Sequence, residues 1–223
     1  PQEFLDNLFT KSLKFKPSAT DYFFSLMKFG GFPESLFLQD ERQSRLWRRN
    51  RLEKIIREDL RDLSRIPVLS QFEMLAAILP ERVGSSLSRN SLREILEVSF
   101  DTVRRWLDYL RELYYIFEIK PFQGSIQRSL KKEGKLYLWD YSEVKDESAR
   151  FENLIACHLL KFCHYWSDIG EGTFELYCLR NKDKFEIDFL APVLIGRWPV
   201  ILCKVFSTTS LNLESFNPCP VPT

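Results

Sequence analysis

Three residues late in the chain have the types that metal-dependent phosphodiester hydrolysis requires: Glu152, Asp188 and Lys204. Carboxylates hold a hard divalent cation through oxygen, and a lysine stabilises charge on the phosphate or orients the attacking water. Glu152 lies in the first turn of an amphipathic helical run over residues 151–162, where the helix dipole favours a carboxylate. The buried face of that run would use Phe151, Ile155, His158, Leu159 and Phe162. Asp188 and Lys204 fall in the second and third of three strand-like runs, residues 174–179, 185–194 and 200–206. One helix followed by three strands would bring all three side chains to one end of a small sheet. A further acid belongs two residues before the lysine, but Leu202 stands there, and Cys203 would fill the place after a slip of one. With one charge fewer the cation loses much of its cage. Glu152, Asp188 and Lys204 therefore read as a degenerate, inactive catalytic set, with Glu152 and Asp188 as the remaining metal ligands.

Cys157, His158, Cys163 and His164 have zinc-ligand chemistry. On one helix only Cys157 and His164 share a face, so four ligands cannot converge, and all four read as helix residues. The chain contains no Walker-type phosphate loop and no G-x-S-x-G elbow. No cofactor is expected from these residues.

The elements that would position this chemistry follow a central unit over residues 85–135. Asn90 and Ser91 are placed to cap a helix burying Leu92, Ile95 and Leu96. Glu97, Val98 and Ser99 make a turn, with Ser99 capping a second helix in which Phe100, Val103, Leu107, Leu110 and Tyr114 recur on one face. Asp101, Thr102, Arg104, Arg105 and Asp108 take the opposite face. Residues 115–122 read as a strand and residues 135–139 as its return. A helix-turn-helix followed by a hairpin is a winged helix, which often docks its second helix in the DNA major groove. The second helix balances Arg104, Arg105 and Arg111 against Asp101, Asp108 and Glu112. The wing carries Arg128, Lys131, Lys132 and Lys135 against Glu133, an excess of +3. Phosphate neutralisation supplies much of DNA affinity, so the wing is expected to carry the phosphate contacts and the helix little base readout. The DNA-binding candidates are Arg104, Arg105, Arg128, Lys131 and Lys132.

Upstream, residues 22–29 give a helix stopped by Gly30 and Gly31, and Phe32, Pro33 and Glu34 form a rigid turn. Residues 42–65 are helical, with nine basic residues against four acidic ones, an excess of +5. Leu46, Trp47, Ile55, Ile56, Leu60 and Leu63 give that helix an apolar stripe, and ion pairs such as Glu53 with Arg57 support it. Residues 72–79 form another apolar helix, and residues 140–150 read as a polar linker. Across 223 residues the hydrophobic content is 44%, with 19 Phe and 5 Trp, enough for substantial cores. A net charge of +1 excludes a protein that coats DNA through overall basicity. Five Cys residues without a C-x-x-C pair fit a reducing compartment, hence the cytoplasm. No apolar run reaches the length of a membrane span. The chain opens on Pro1, which reads as part of a longer protein.

Several stretches taken together resemble one family. They are Gly-Gly-Phe-Pro-Glu at 30–34, Ile-Ile-Arg-Glu-Asp-Leu at 55–60, Leu-Ser-Arg-Asn-Ser-Leu at 87–92 and Thr-Val-Arg-Arg-Trp-Leu at 102–107. Lys-Leu-Tyr-Leu-Trp-Asp at 135–140, Arg-Phe-Glu-Asn-Leu at 150–154 and Glu-Ile-Asp-Phe-Leu at 186–190 follow. In this order they resemble the C-terminal DUF4143 region of prokaryotic AAA-type ATPases, over residues 20–206. The resemblance implies an α+β fold with a helical lid or linker segment over residues 1–66 and a winged helix-turn-helix over 67–140. It further implies a small PD-(D/E)XK restriction-endonuclease-like domain over 141–206, truncated, with an irregular Pro-rich tail over 207–223. It matches Glu152 to the family's helix acid, Asp188 to its strand acid and Lys204 to the lysine of Glu-x-Lys, whose Glu is missing. It places the ATP-binding and Mg²⁺-binding half upstream.

The leading expectation is the non-ATPase portion of an AAA-type protein, serving as a DNA-binding and regulatory module with a degenerate nuclease-like domain. A metal-dependent nuclease with a substitute for the missing acid is the second reading. A protein-interaction module, pairing with its own ATPase half or with a second copy, is the third.

Overall fold

A computed structural model describes residues 17–59, 66–122, 133–180, 186–191 and 201–203. The fold is α+β, with seven α helices and a five-stranded sheet among these residues. Helix α1 (Pro17–Phe29) ends at Gly30, whose φ of +84° is the left-handed conformation that closes a helix. Helix α2 (Pro33–Leu38) has proline at its first position, after an extended Phe32. Helix α3 (Glu41–Asp59) buries Ile55 and Ile56, whereas Leu46 of the expected stripe is exposed. Its charges pair along the surface as Arg45 with Glu41 and Arg49 with Glu53. Leu60 and Leu63 lie outside the described residues.

Helix α4 (Ile66–Ile78) runs into a 3₁₀ turn, Leu79–Arg82. Helix α5 (Arg89–Leu96) is capped by Ser88, which accepts from the Ser91 amide; Asn90 and Ser91 lie inside the helix. Glu97 then turns in the left-handed conformation and Ser99 caps α6 (Phe100–Glu112), accepting from the Thr102 amide at 3.1 Å. Three residues leave the expected core and one joins it. Ile95, Phe100 and Tyr114 are exposed, and Trp106 is buried edge-to-face against Phe72 of α4. The 3.6-residue period therefore marks a face slightly rotated from the expected one.

Strands β1 (Ile116–Pro121) and β2 (Lys135–Leu138) form an antiparallel hairpin, with Ile119 opposite Lys135 and Ile116 opposite Leu138. The hairpin does not stand apart as a wing. Strand β1 also pairs in parallel with β3 (Tyr177–Arg180), which continues into β4 (Glu186–Ala191) and β5 (Ile201–Cys203), giving the order β2-β1-β3-β4-β5. The segments read as winged helix and nuclease-like domain therefore share one sheet, and one hydrophobic core runs from Ile55 to Ala191. Strand β5 is a sheet edge among the described residues.

Residues 140–150 are not a solvated linker. Asp140, Tyr141 and Val144 are buried, Tyr141–Glu143 form a 3₁₀ turn, and Asp146 caps α7 (Glu147–Asp168) through the Ala149 amide at 2.8 Å. Because α7 starts at Glu147, Glu152 sits beyond its first turn. The helix buries Asn153, Leu154, Ala156, Cys163 and Trp166, and leaves His158 exposed. No described helix is long and apolar enough to cross a membrane.

Candidate functional site

Glu152 and Asp188, expected to converge, are brought to one place by Lys135. The Lys135 Nζ lies 2.9 Å from Asp188 Oδ1 and 3.5 Å from Glu152 Oε1. Lys135 is only 6% exposed, so it is no part of a solvated basic wing. Residues i and i+2 of a strand share a face, which puts Tyr137 beside it. The Tyr137 hydroxyl donates to Glu152 Oε1 at 2.7 Å. Behind the carboxylate is Gly84, with a φ of +74°, where a Cβ would come within 3.2 Å of both Glu152 oxygens.

Burial raises the Glu152 carboxyl above its ordinary range, while the Lys135 charge and the Tyr137 hydrogen bond pull it down. Burial and the neighbouring Glu152 charge hold the Tyr137 hydroxyl far above its usual value, so it remains a donor. Among the described residues, two carboxyl groups converge on one ammonium. The Lys135 ammonium stands at hydrogen-bond distance from Asp188 and near Glu152, in the place between the two acids that a divalent cation would take. Among the described residues no group of three His, Cys, Asp or Glu is arranged to hold a metal ion.

Of the remaining expected site residues, two are described. Arg104 and Arg105 are exposed on α6, where Arg104 pairs with Asp101 at 3.4 Å. Arg128, Lys131, Lys132 and Lys204 lie outside the described residues. Cys157 bonds within the fold, its thiol donating to the Leu138 carbonyl at 3.4 Å and accepting from Asn153 at 3.5 Å. Burial lifts that thiol to about 12.

Sequence reasoning missed Lys135 as a site residue, although a lysine in a strand whose every residue is buried must find a charged partner. It also missed a polar node that ties α3 to the turn after β2. Arg48 donates to Ser142 Oγ at 2.9 Å, and Ser142 donates from both its hydroxyl and its amide to Asp140 Oδ1. Tyr115 donates to Glu143 Oε2 at 2.8 Å, and Arg51 lies over the Phe32 ring with its carbon 4.1 Å from the centroid. Burial, reinforced by Asp140, lifts the Glu143 carboxyl to about 7.

Residues 20–144 match the family described as a domain of unknown function, DUF8612. The chain belongs to that family. Over 189 residues it is 24% identical to an uncharacterised protein of Methanocaldococcus jannaschii, MJ1544, with 78% of this chain covered. The matched stretch spans 40% of that relative's length. No solved structure matches the chain. The family match covers most of α1, helices α2 to α6 and the hairpin that carries Lys135 and Tyr137, and stops before α7 with Glu152 and before Asp188.

Proposed function

We propose that the chain is the non-ATPase portion of an AAA-type ATPase-like protein, serving as a DNA-binding regulatory module with a catalytically silent, nuclease-like centre. The observation that carries the silent centre is the buried Lys135 ammonium held between Asp188 and Glu152. A tethered cation there offsets part of the charge that would recruit a metal, and Leu202 stands where a further acid would be needed. Binding is favoured by the helix-turn-helix order of α5 and α6, with its sharp Glu97 turn and Ser99 cap. ATP and Mg²⁺ belong in this reading to an ATPase part of a longer polypeptide. Its setting is the reducing cytoplasm, in keeping with Cys157 and Cys163 standing outside any disulfide.

The test pairs two assays on the purified chain. Incubated with supercoiled plasmid and Mg²⁺ or Mn²⁺, it should leave the plasmid intact. Cleavage that Asp188→Asn abolishes would overturn the silent centre and establish a metal-dependent nuclease instead. In fluorescence anisotropy it should bind DNA at low salt and release it as salt rises. Absence of binding at low salt would sink the nucleic-acid half.

A further inference from the structure

Glu118 of β1 collects three cations around one carboxylate. Its side chain is 3% exposed and accepts from Arg111 of α6, from Arg89 at the start of α5 at 3.4 Å, and from Lys120 at 2.8 Å. Burial alone would raise this carboxyl, but the Arg111 charge and the Lys120 and Arg111 hydrogen bonds outweigh it and keep Glu118 ionised. One carboxylate offers two oxygens, while each guanidinium carries five N–H donors and the ammonium three. Arg111 also donates to Asp108; the remaining donors are left for other acceptors, and the buried carboxylate fixes where the cations stand.

They stand along a groove of about 420 Å³ between α6 and β1. Arg104 lines the same groove, so Arg89, Arg104, Arg111 and Lys120 face Asp108 and Glu118, and with Asp101, which pairs with Arg104, the surplus is one positive charge. At one side of it Phe100 is 43% exposed, a large apolar ring that the core does not use.

We propose that this groove seats the backbone of a single-stranded nucleic acid, with phosphate on the Arg89, Arg111 and Lys120 cluster and a base stacked on Phe100. The inference rests on the nucleic-acid reading above and specifies the strand and the seat. A cationic groove with an aromatic platform is the means by which proteins hold single strands without reading sequence. A duplex suits the surface less well. The bases of a duplex are paired and stacked on one another, so none is free to lie on the exposed Phe100 ring.

The experiment is a fluorescence-anisotropy titration of the full chain against a labelled thymidine oligomer of roughly 12 nucleotides, within the known span of single-strand sites, and against a duplex of equal length. Salt is varied between about 50 and 200 mM. The oligomer should bind tighter than the duplex. Arg104→Glu, at an exposed position, should weaken it several-fold and lower the slope of log affinity against log salt by about one. Phe100→Ala should weaken it roughly tenfold and leave the slope unchanged. Lys145→Glu, at a side chain 91% exposed and away from the groove, should do neither. Circular dichroism checks that each variant is folded, and Lys120→Gln provides a second groove variant. If the chain binds nucleic acid and the groove variants bind as the parent does, the groove is wrong and the functional reading stands. Tighter binding to the duplex overturns the choice of strand. No binding to either overturns both.

Discussion

Asn153 completes the outer edge of β2 by bonding Leu138 in both directions. Its Oδ1 accepts from the Leu138 amide at 2.9 Å and its Nδ2 donates to the Leu138 carbonyl at 2.7 Å, with the side chain wholly buried. The backbone of Gly84 and Ser85 does the same for Leu136 two residues earlier. The helix that carries Glu152 is thus keyed to the strand that carries Lys135. Asn153→Ala would strand a buried amide and weaken the hold on a buried carbonyl, a cost of about 2–4 kcal/mol. Urea unfolding should show a lower midpoint with an unchanged slope; a loss below about 0.5 kcal/mol would mean that the edge is held by other groups.

Lys135→Met should cost more at high pH than at low pH. Removing one partner of a buried ion pair leaves the Glu152 and Asp188 charges uncompensated, at about 3–5 kcal/mol. The Glu152 carboxyl, already raised by burial, would lose the Lys135 charge that pulls it down and rise further above its unfolded value. The folded state would bind extra protons as pH falls, so the variant recovers stability toward acid and loses it as pH rises through the unfolded carboxyl range. Urea unfolding at pH 8 and pH 5 measures the difference. Equal losses at the two pH values would contradict the assignment of Lys135 as counter-charge.

What the sequence discloses depends on how far apart the interacting residues lie. The turn at Glu97, the Ser99 cap and the hairpin were legible because each is a local matter of cap chemistry, period and β-branched runs. The approach of Glu152 to Asp188 was legible from one helix and one strand of the right types. The role of Lys135 was not, because counting charges along a segment treats every lysine as solvated, and only the sheet shows that this strand is buried. The same holds for Glu118, whose partners Arg89 and Arg111 come from two different helices. Residues 140–150 read as a linker from their polarity. Asp140 and Tyr141 are nonetheless buried, because Gly30 and Gly31, more than a hundred residues earlier, leave room for them.

That close approach makes Gly30 a position without substitutes. Its φ of +84° strains any residue with a Cβ, and a Cβ there would run into Asp140 Oδ1, which Ser142 already holds in place. Gly30→Ala therefore combines left-handed backbone strain with overpacking, about 2–4 kcal/mol together. In a thermal melt the variant should unfold several degrees below the parent. Gly170→Ala shares the positive φ but meets nothing within 4 Å, so it should lose only the backbone part.

Glu143 should make the protein less stable as pH rises from the acid side to neutrality. Burial and Asp140 lift its carboxyl from 4.5 to about 7 in the folded state. Between those values the folded chain binds a proton that the unfolded chain has released, so stability falls with rising pH and the full penalty is present above about 7. The difference corresponds to roughly 3 kcal/mol. Glu143→Gln removes the titration and keeps an oxygen for the Tyr115 hydroxyl, which now donates to Oε2 at 2.8 Å. The variant should therefore match the parent near pH 4.5, exceed it at pH 8, and show a flatter dependence between. Thermal melts across that range decide the matter, since parallel curves for parent and variant would mean that Glu143 does not titrate there.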